Sequence, residues 1–306
     1  MDVSVIIPVH NEEENLPLLY PSLTRSLESL NKTYEVIMVD DGSADRSFEM
    51  LAKLQAADNR LKVIKFDRNY GQHPAISAGF EIAEGNTVII LDADMQNDPA
   101  DISRFVEKIE SGYDMVWGWR QNRYDTLITR KIPSYIFNKI ICRATGVKLK
   151  DFNCGIKAFS KKVVHKVNGC GERRNFLPVF LATLSPSITE IPVKHRQRLH
   201  GESKYDFFKS CGILFSFLAS YSIKPFRMVG ILGIFSSLAG IFFSSIYIAA
   251  YYFLDVHVSQ LATLLGLMVV VGVQFFIIGM IGELINRIYT IFHKQPLFVI
   301  EKVLGK

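Results

Sequence analysis

The sequence predicts an α/β protein with a mainly parallel, doubly wound sheet, followed by a hairpin of two apolar helices. Three observations predict it. Short β-branched runs alternate with helix-period segments from residue 3 to about residue 117. Polar, carboxylate-rich clusters stand directly after the runs, where parallel sheets place their ligands. Near the other end, 27 residues from Met228 to Leu254 and 22 from Leu261 to Gly282 carry no charge. Each is long enough to cross a hydrocarbon layer of about 30 Å.

Taken in order, Val3–Val9 is a buried strand, because its apolar run ends at a polar turn. Glu12–Leu30 has helical spacing, Glu35–Val39 is a second strand and Asp45–Ala57 a second helix. Leu61–Phe66, Pro74–Ala83 and Thr87–Leu91 repeat the pattern as strand, helix and strand, and Asp98–Ser111 and Tyr113–Trp117 add a helix and a fifth strand. Residues 118–205 are basic and less regular. Asp206–Ile223 is apolar over most of its length but too broken for a span. It reads as an amphipathic helix in the interface, with a buried core helix as the alternative. The expected division is a catalytic domain over 1–205, a juxtamembrane helix over 206–227, two transmembrane helices over 228–285 and a tail over 286–306.

Position of charge matters more than its sum. The net charge of +5 in 306 residues is too modest to indicate nucleic-acid binding. Lys224 and Arg227 precede the first span and Arg287 and Lys294 follow the second, while the connecting loop from Asp255 to Gln260 holds neither Lys nor Arg. The positive-inside rule therefore predicts a multi-pass protein of the inner membrane, with both termini cytoplasmic. Asp2 followed at once by a strand predicts no signal peptide. Cys142, Cys154, Cys170 and Cys211 form no C-x-x-C pair and read as free thiols.

The sharpest chemical signal is Asp92-Ala93-Asp94-Met95-Gln96 after a strand. Two carboxylates one residue apart can share a hard divalent cation that bridges phosphate oxygens. A calcium loop is the competing reading, but it needs Gly at its sixth position and Glu at its twelfth, where Asn97 and Ser103 stand. Asp40-Asp41-Gly42-Ser43 closes the second strand. Its carboxylates suit a base or ribose, and the same residue types suit a plain helix cap and turn. Neither a P-loop nor a G-x-G-x-x-G occurs. Arg120, Arg123, Arg130, Lys131, Arg196, Arg198 and Lys204 supply positive charge beyond the strand ends, and Arg suits bidentate phosphate recognition.

The segments VIIPVHNE, VDDGSADRS, RNYGQHPAISAGF, LDADMQND, RQNR at 120–123 and HRQRLHGESKY at 195–205 together resemble family-two inverting glycosyltransferases of GT-A fold. Within these they are most similar to the polyprenyl-phosphate glycosyltransferases, in particular the undecaprenyl-phosphate 4-deoxy-4-formamido-arabinose transferase branch. The resemblance covers nearly the whole chain. It implies transfer of a sugar from a nucleotide-sugar, UDP-linked by branch, to a polyprenyl phosphate, for cell-envelope glycan or lipopolysaccharide modification. It implies that Pro8, His10, Glu12, Val39, Asp41 and Ala93 line the nucleotide-sugar site. Asp92, Asp94 and Gln96 would hold Mg²⁺ or Mn²⁺ and the donor diphosphate, with Arg198 and Lys204 reaching the diphosphate from a loop. Arg120, Arg123 and Arg130 would face the lipid phosphate or the donor, and Asp151 would lie near the sugar. The stretch after Asp151, Phe152 to Lys157, departs from the commoner G-D-F-R pattern. A processive polysaccharide synthase is disfavoured, since Gln197-Arg198-Leu199-His200 does not match the Q-x-x-R-W acceptor motif. A non-catalytic nucleotide-sugar receptor would have no use for Asp92, Asp94 and the arginines. Small residues such as Gly240 and Ser244 permit close helix contacts and so a homo-oligomer.

Overall fold

The computed structural model describes residues 1–120, 154–169, 187–194, 224–254, 259–292 and 297–305. It also describes residues 142, 147, 149–151, 181 and 184. They divide into two compact units, one of residues 1–204 and 296–306 and one of residues 205–295. Arg123, Arg130, Arg198, Lys204 and the segment 206–223 lie outside the described residues.

The first unit is a mixed sheet layered with helices. Strand β1 (Val3–Val9) leads to α1 (Leu16–Glu28), β2 (Tyr34–Asp40) to α2 (Ser47–Ala57), and β3 (Leu61–Phe66) to α3 (Gln72–Ile82). Then come β4 (Thr87–Ile90), a 3₁₀ turn at Pro99–Asp101, α4 (Ile102–Glu110) and β5 (Met115–Arg120). Three elements follow that the periodicity did not mark: β6 (Lys157–Ser160), α5 (Lys161–Asn168) and β7 (Ile188–Val193). After the second unit the chain returns as β8 (Ile300–Leu304). The order across the sheet is β7-β5-β6-β4-β1-β2-β3-β8. The centre, β4-β1-β2-β3, is parallel, with Val5 opposite Val36 and Ile89. Strand β6 inserts antiparallel between β4 and β5, and β8 pairs antiparallel with β3.

Two boundaries moved for local reasons. The first helix starts at Leu16 rather than Glu12, because Asn11 takes a positive φ of 57° and residues 12–15 form a turn before Pro17 can open the helix. The fifth strand begins after Gly112, at a φ of 101°, and runs on to Arg120 because β7 pairs with it as far as Val193. That extension carries Arg120 to the carboxyl end of the sheet.

The central strands are apolar on both faces because helices cover both. Beneath the site Phe159 meets Trp117 and Phe80 edge to face, with ring centroids 5.6 and 5.7 Å apart. Such contacts add about 0.5–1.5 kcal/mol each beyond area burial. At the amino ends of the strands, buried Glu35 accepts from the Ser4 hydroxyl at 2.5 Å and the Glu84 N–H at 2.7 Å, and pairs with Lys62 at 2.9 Å.

The second unit is a pair of helices, α6 (Lys224–Leu254) and α7 (Ser259–Phe292). Within them Val229–Phe253 and Gln260–Ile285 are long and apolar enough to cross a membrane. The helices pack closely where they lack side chains. A Cβ on Gly233 would come 2.5 Å from the Gly272 carbonyl oxygen, and one on Gly240 2.7 Å from Val269. Gly240 therefore serves a contact inside the hairpin. Most of the outer apolar surface, including Phe235, Phe242, Leu264 and Ile278, is exposed in the isolated chain.

Candidate active site

The carboxyl ends of β1, β2, β3, β4 and β5 bring the predicted polar clusters to one end of the sheet. The ends of β1 and β2 are laced together. His10 donates through Nδ1 to the Asp41 carbonyl at 2.9 Å, which leaves Nε2 to accept from Asn69 Nδ2 at 3.1 Å. The Asn11 N–H donates to Ser43 Oγ at 3.0 Å and the Ala44 N–H to Asn11 Oδ1 at 2.8 Å. The Glu12 N–H donates to Ser47 Oγ at 2.9 Å, while the Glu12 carboxylate accepts from Asn15 at 2.6 Å. Pro8 is partly exposed, but Val39 is fully buried in β2. Val39 packs into the sheet, two residues before Asp41.

Asp41 serves the site through the loop after β3. Its two carboxylate oxygens accept the N–H groups of Tyr70 and Gly71 at 2.7 and 2.8 Å. Burial pushes its carboxyl above the usual range and these two hydrogen bonds oppose the push. The neighbouring Gly42, at a φ of 61°, lets the same loop approach, since a Cβ there would lie 2.4 Å from the Arg68 carbonyl carbon. The RNYGQH loop is thereby fixed, and Gln72 at the start of α3 donates to Asp92 Oδ1 at 2.6 Å.

Asp92 and Asp94 flank buried Ala93 just past β4. Met95 follows at a positive φ of 60°, and the Gln96 N–H donates to Asp94 Oδ1 at 3.1 Å, closing a tight turn. Burial and then the adjacent Asp94 charge push the Asp92 carboxyl well above the usual carboxylate range. Gly155 lies against it, where a Cβ would collide with Asp92 Oδ2 and come 2.6 Å from Asn97 Nδ2. No group of three or more His, Cys, Asp or Glu that could hold a metal occurs among the described residues. The oxygen donors the acidic turn offers are the carboxylates of Asp92 and Asp94 and the side-chain amide of Gln96. That fits Mg²⁺ or Mn²⁺, which are held by one or two carboxylates while waters and substrate phosphates complete the shell.

Arg120 and Asp151 form a bidentate ion pair, Nε to Oδ2 at 2.7 Å and Nη2 to Oδ1 at 3.0 Å, with both side chains largely buried. Cys154 is buried, and burial followed by the Asp151 charge raises its thiol to about 11, so it is inert. Two residues were missed in the sequence. Lys157, only 8% exposed, stands on β6 opposite Ile90 and donates to the Cys154 carbonyl at 2.6 Å. His73, on α3, is held near 4 by burial and then by the Lys157 charge. The departure at Phe152–Lys157 was the only mark of Lys157 in the sequence, and His73 was legible only as the end of the polar cluster Asn69–His73, without a role of its own.

Residues 4–167 match the model of the family described as Glycosyl transferase family 2. The undecaprenyl-phosphate 4-deoxy-4-formamido-L-arabinose transferase of Photorhabdus laumondii subsp. laumondii is 38% identical over 99% of this chain and 94% of its own length. The protein of the same name from Proteus mirabilis is 38% identical over the same shares. A crystal structure of S. aureus TarS 1-349 in complex with UDP-GlcNAc aligns at a TM-score of 0.48 and 18% identity, over 71% of this chain and 67% of that one. With a family match over more than half its residues and such relatives over nearly all of them, the chain belongs to glycosyl transferase family 2.

Proposed function

We propose that the protein transfers a sugar from a UDP-linked donor to undecaprenyl phosphate on the cytoplasmic face of the inner membrane, with inversion at the anomeric carbon. The observation that carries it is the turn Asp92-Ala93-Asp94 at the carboxyl end of β4, in a chain that continues through two apolar helices and returns to the same sheet as β8. The full-length relatives named as undecaprenyl-phosphate sugar transferases support the acceptor.

The acceptor phosphate, already ionised at neutral pH, attacks the anomeric carbon as the bond to the donor diphosphate breaks, through an oxocarbenium-like transition state. A divalent cation, when bound, neutralises charge on the leaving diphosphate. Asp92, Asp94 and Gln96 would hold it, and Arg198 and Lys204 would add positive charge. The ends of β1 and β2, with Pro8, His10, Glu12 and Asp41, frame the nucleoside. Arg120, fixed in orientation by Asp151, places a guanidinium charge at the carboxyl end of the sheet for phosphate, and by resemblance Arg123 and Arg130 serve the acceptor phosphate. Asp151 is an anchor for Arg120 rather than a base, because both its oxygens are engaged and a phosphate nucleophile needs no deprotonation. Most of the rate enhancement is positioning and preorganised charge.

The test is incubation of the purified protein with undecaprenyl phosphate, Mn²⁺ and a panel of radiolabelled UDP-sugars, followed by organic extraction. Label should enter the lipid phase with the native chain. It should fall by at least about 10³-fold in Asp94→Ala, with an unchanged circular dichroism spectrum. Full turnover by Asp94→Ala, or label in polymer rather than in lipid, would overturn the reading.

A further inference from the structure

Lys157 is a buried cation to which the proposed mechanism assigns no task. It lies on β6, in register with Ile90 two residues before Asp92 and with Trp117 on β5. Its ammonium bonds the Cys154 carbonyl at 2.6 Å, closing the turn whose Gly155 is pressed against the Asp92 carboxylate. It stands 5.9 Å from the centre of the Trp117 ring and is 92% buried, where water screens its charge little. That charge acts on Asp92, Asp151 and His73 alike. An ammonium that served packing alone would be replaced at less desolvation cost by an apolar side chain.

We infer that Lys157 is a positioning residue with two opposed effects on the acidic turn: its hydrogen bond holds the Cys154–Lys157 turn against Asp92, and its fixed positive charge weakens the hold of Asp92 and Asp94 on a divalent cation. The inference rests on the reading of that turn as a cation site. The sign of the effect separates it from a purely structural role. If Lys157 only braces the turn, its loss loosens the carboxylates and weakens cation binding. If its charge tunes the site, loss of the charge with the brace retained tightens binding.

The experiment is titration of the full chain in detergent with Mn²⁺, reading free ion by electron paramagnetic resonance, without donor or acceptor. Loss of the signal change in Asp94→Ala assigns it to the acidic turn. Lys157→Gln keeps a donor toward the Cys154 carbonyl and should lower the Kd for Mn²⁺ on the order of tenfold, the scale of one poorly screened unit charge. Lys157→Arg keeps the charge and should stay within about twofold of native. Lys157→Met loses the brace as well as the charge, so it should bind Mn²⁺ more weakly than Lys157→Gln, and binding tighter than native in it also supports the charge effect. Unchanged or weaker Mn²⁺ binding in folded Lys157→Gln overturns the role of Lys157 while leaving the cation site standing. Absence of Mn²⁺ binding by the native chain overturns both.

Discussion

Gly155 and Gln72 show how much the acidic turn depends on the residues packed around it. The acidic turn is positioned from outside, by Gln72 bonding one oxygen of Asp92 and by the bare backbone of Gly155 against the other. Gly155→Ala puts a methyl group into that carboxylate and should cost at least about 10²-fold in transfer, since displacements near 1 Å carry that penalty. The melting temperature should fall only modestly. Native turnover by Gly155→Ala would mean the turn can shift freely. His73 gives the protein an acid-sensitive element. Its folded value near 4 lies below the ordinary 6.5, so its contribution to stability is complete above pH 6.5 and is lost as pH falls towards 4. Between pH 7 and pH 4, His73→Gln should lose less unfolding free energy than the native chain, by on the order of 2–3 kcal/mol. Parallel losses in denaturant titrations at the two pH values would refute this. The carboxylates were legible in the sequence because D-x-D after a strand has few structural uses. Lys157 was not, because a lysine in an apolar run gives no sign that its ammonium turns inward onto a carbonyl.

The central βαβ elements were readable from periodicity alone, as both faces of those strands are covered and their apolar runs are unbroken. The flanks were not. Strand β6 is four residues long and held by pairing to β4 and β5 on either side, and β7 and β8 are edge strands that alternate weakly. Their existence is a tertiary outcome of a free edge finding a partner. Strand β8 is seated by more than its ladder. Phe298 stacks on Phe66 with ring centroids 5.0 Å apart, and Glu301 pairs with Lys65 at 2.8 Å. The surface ion pair contributes little and the aromatic stack most. Phe298→Ala should destabilise the chain by about 2 kcal/mol, whereas Glu301→Gln should change it by less than about 0.5 kcal/mol. Equal melting temperatures for native and Phe298→Ala proteins would show that the strand is held by backbone pairing alone.

At the scale of the whole molecule, the hairpin leaves the first unit after residue 204 and re-enters it at residue 296. An even number of crossings returns the chain to the side it left, so β8 and the catalytic strands share one compartment whichever way the protein faces. On the proposed reading, the positive-inside rule assigns that compartment to the cytoplasm. In a background lacking the native cysteines, Ser259→Cys should react with an impermeant thiol reagent added to intact cells, and Ser29→Cys should not. The reverse pattern would separate the site from cytoplasmic nucleotide-sugars. The same return has a consequence for the order of events during synthesis. Strand β3 emerges from the ribosome long before β8, and until then it offers an unpaired row of N–H and C=O groups at the sheet margin. At about 5–20 residues per second, the roughly 230 residues between them leave that margin open for some ten seconds or more. Over that interval the nascent chain is most exposed to strand exchange with its neighbours. It closes only after both apolar helices have been made, so insertion into the bilayer and completion of the sheet are events of one sequence.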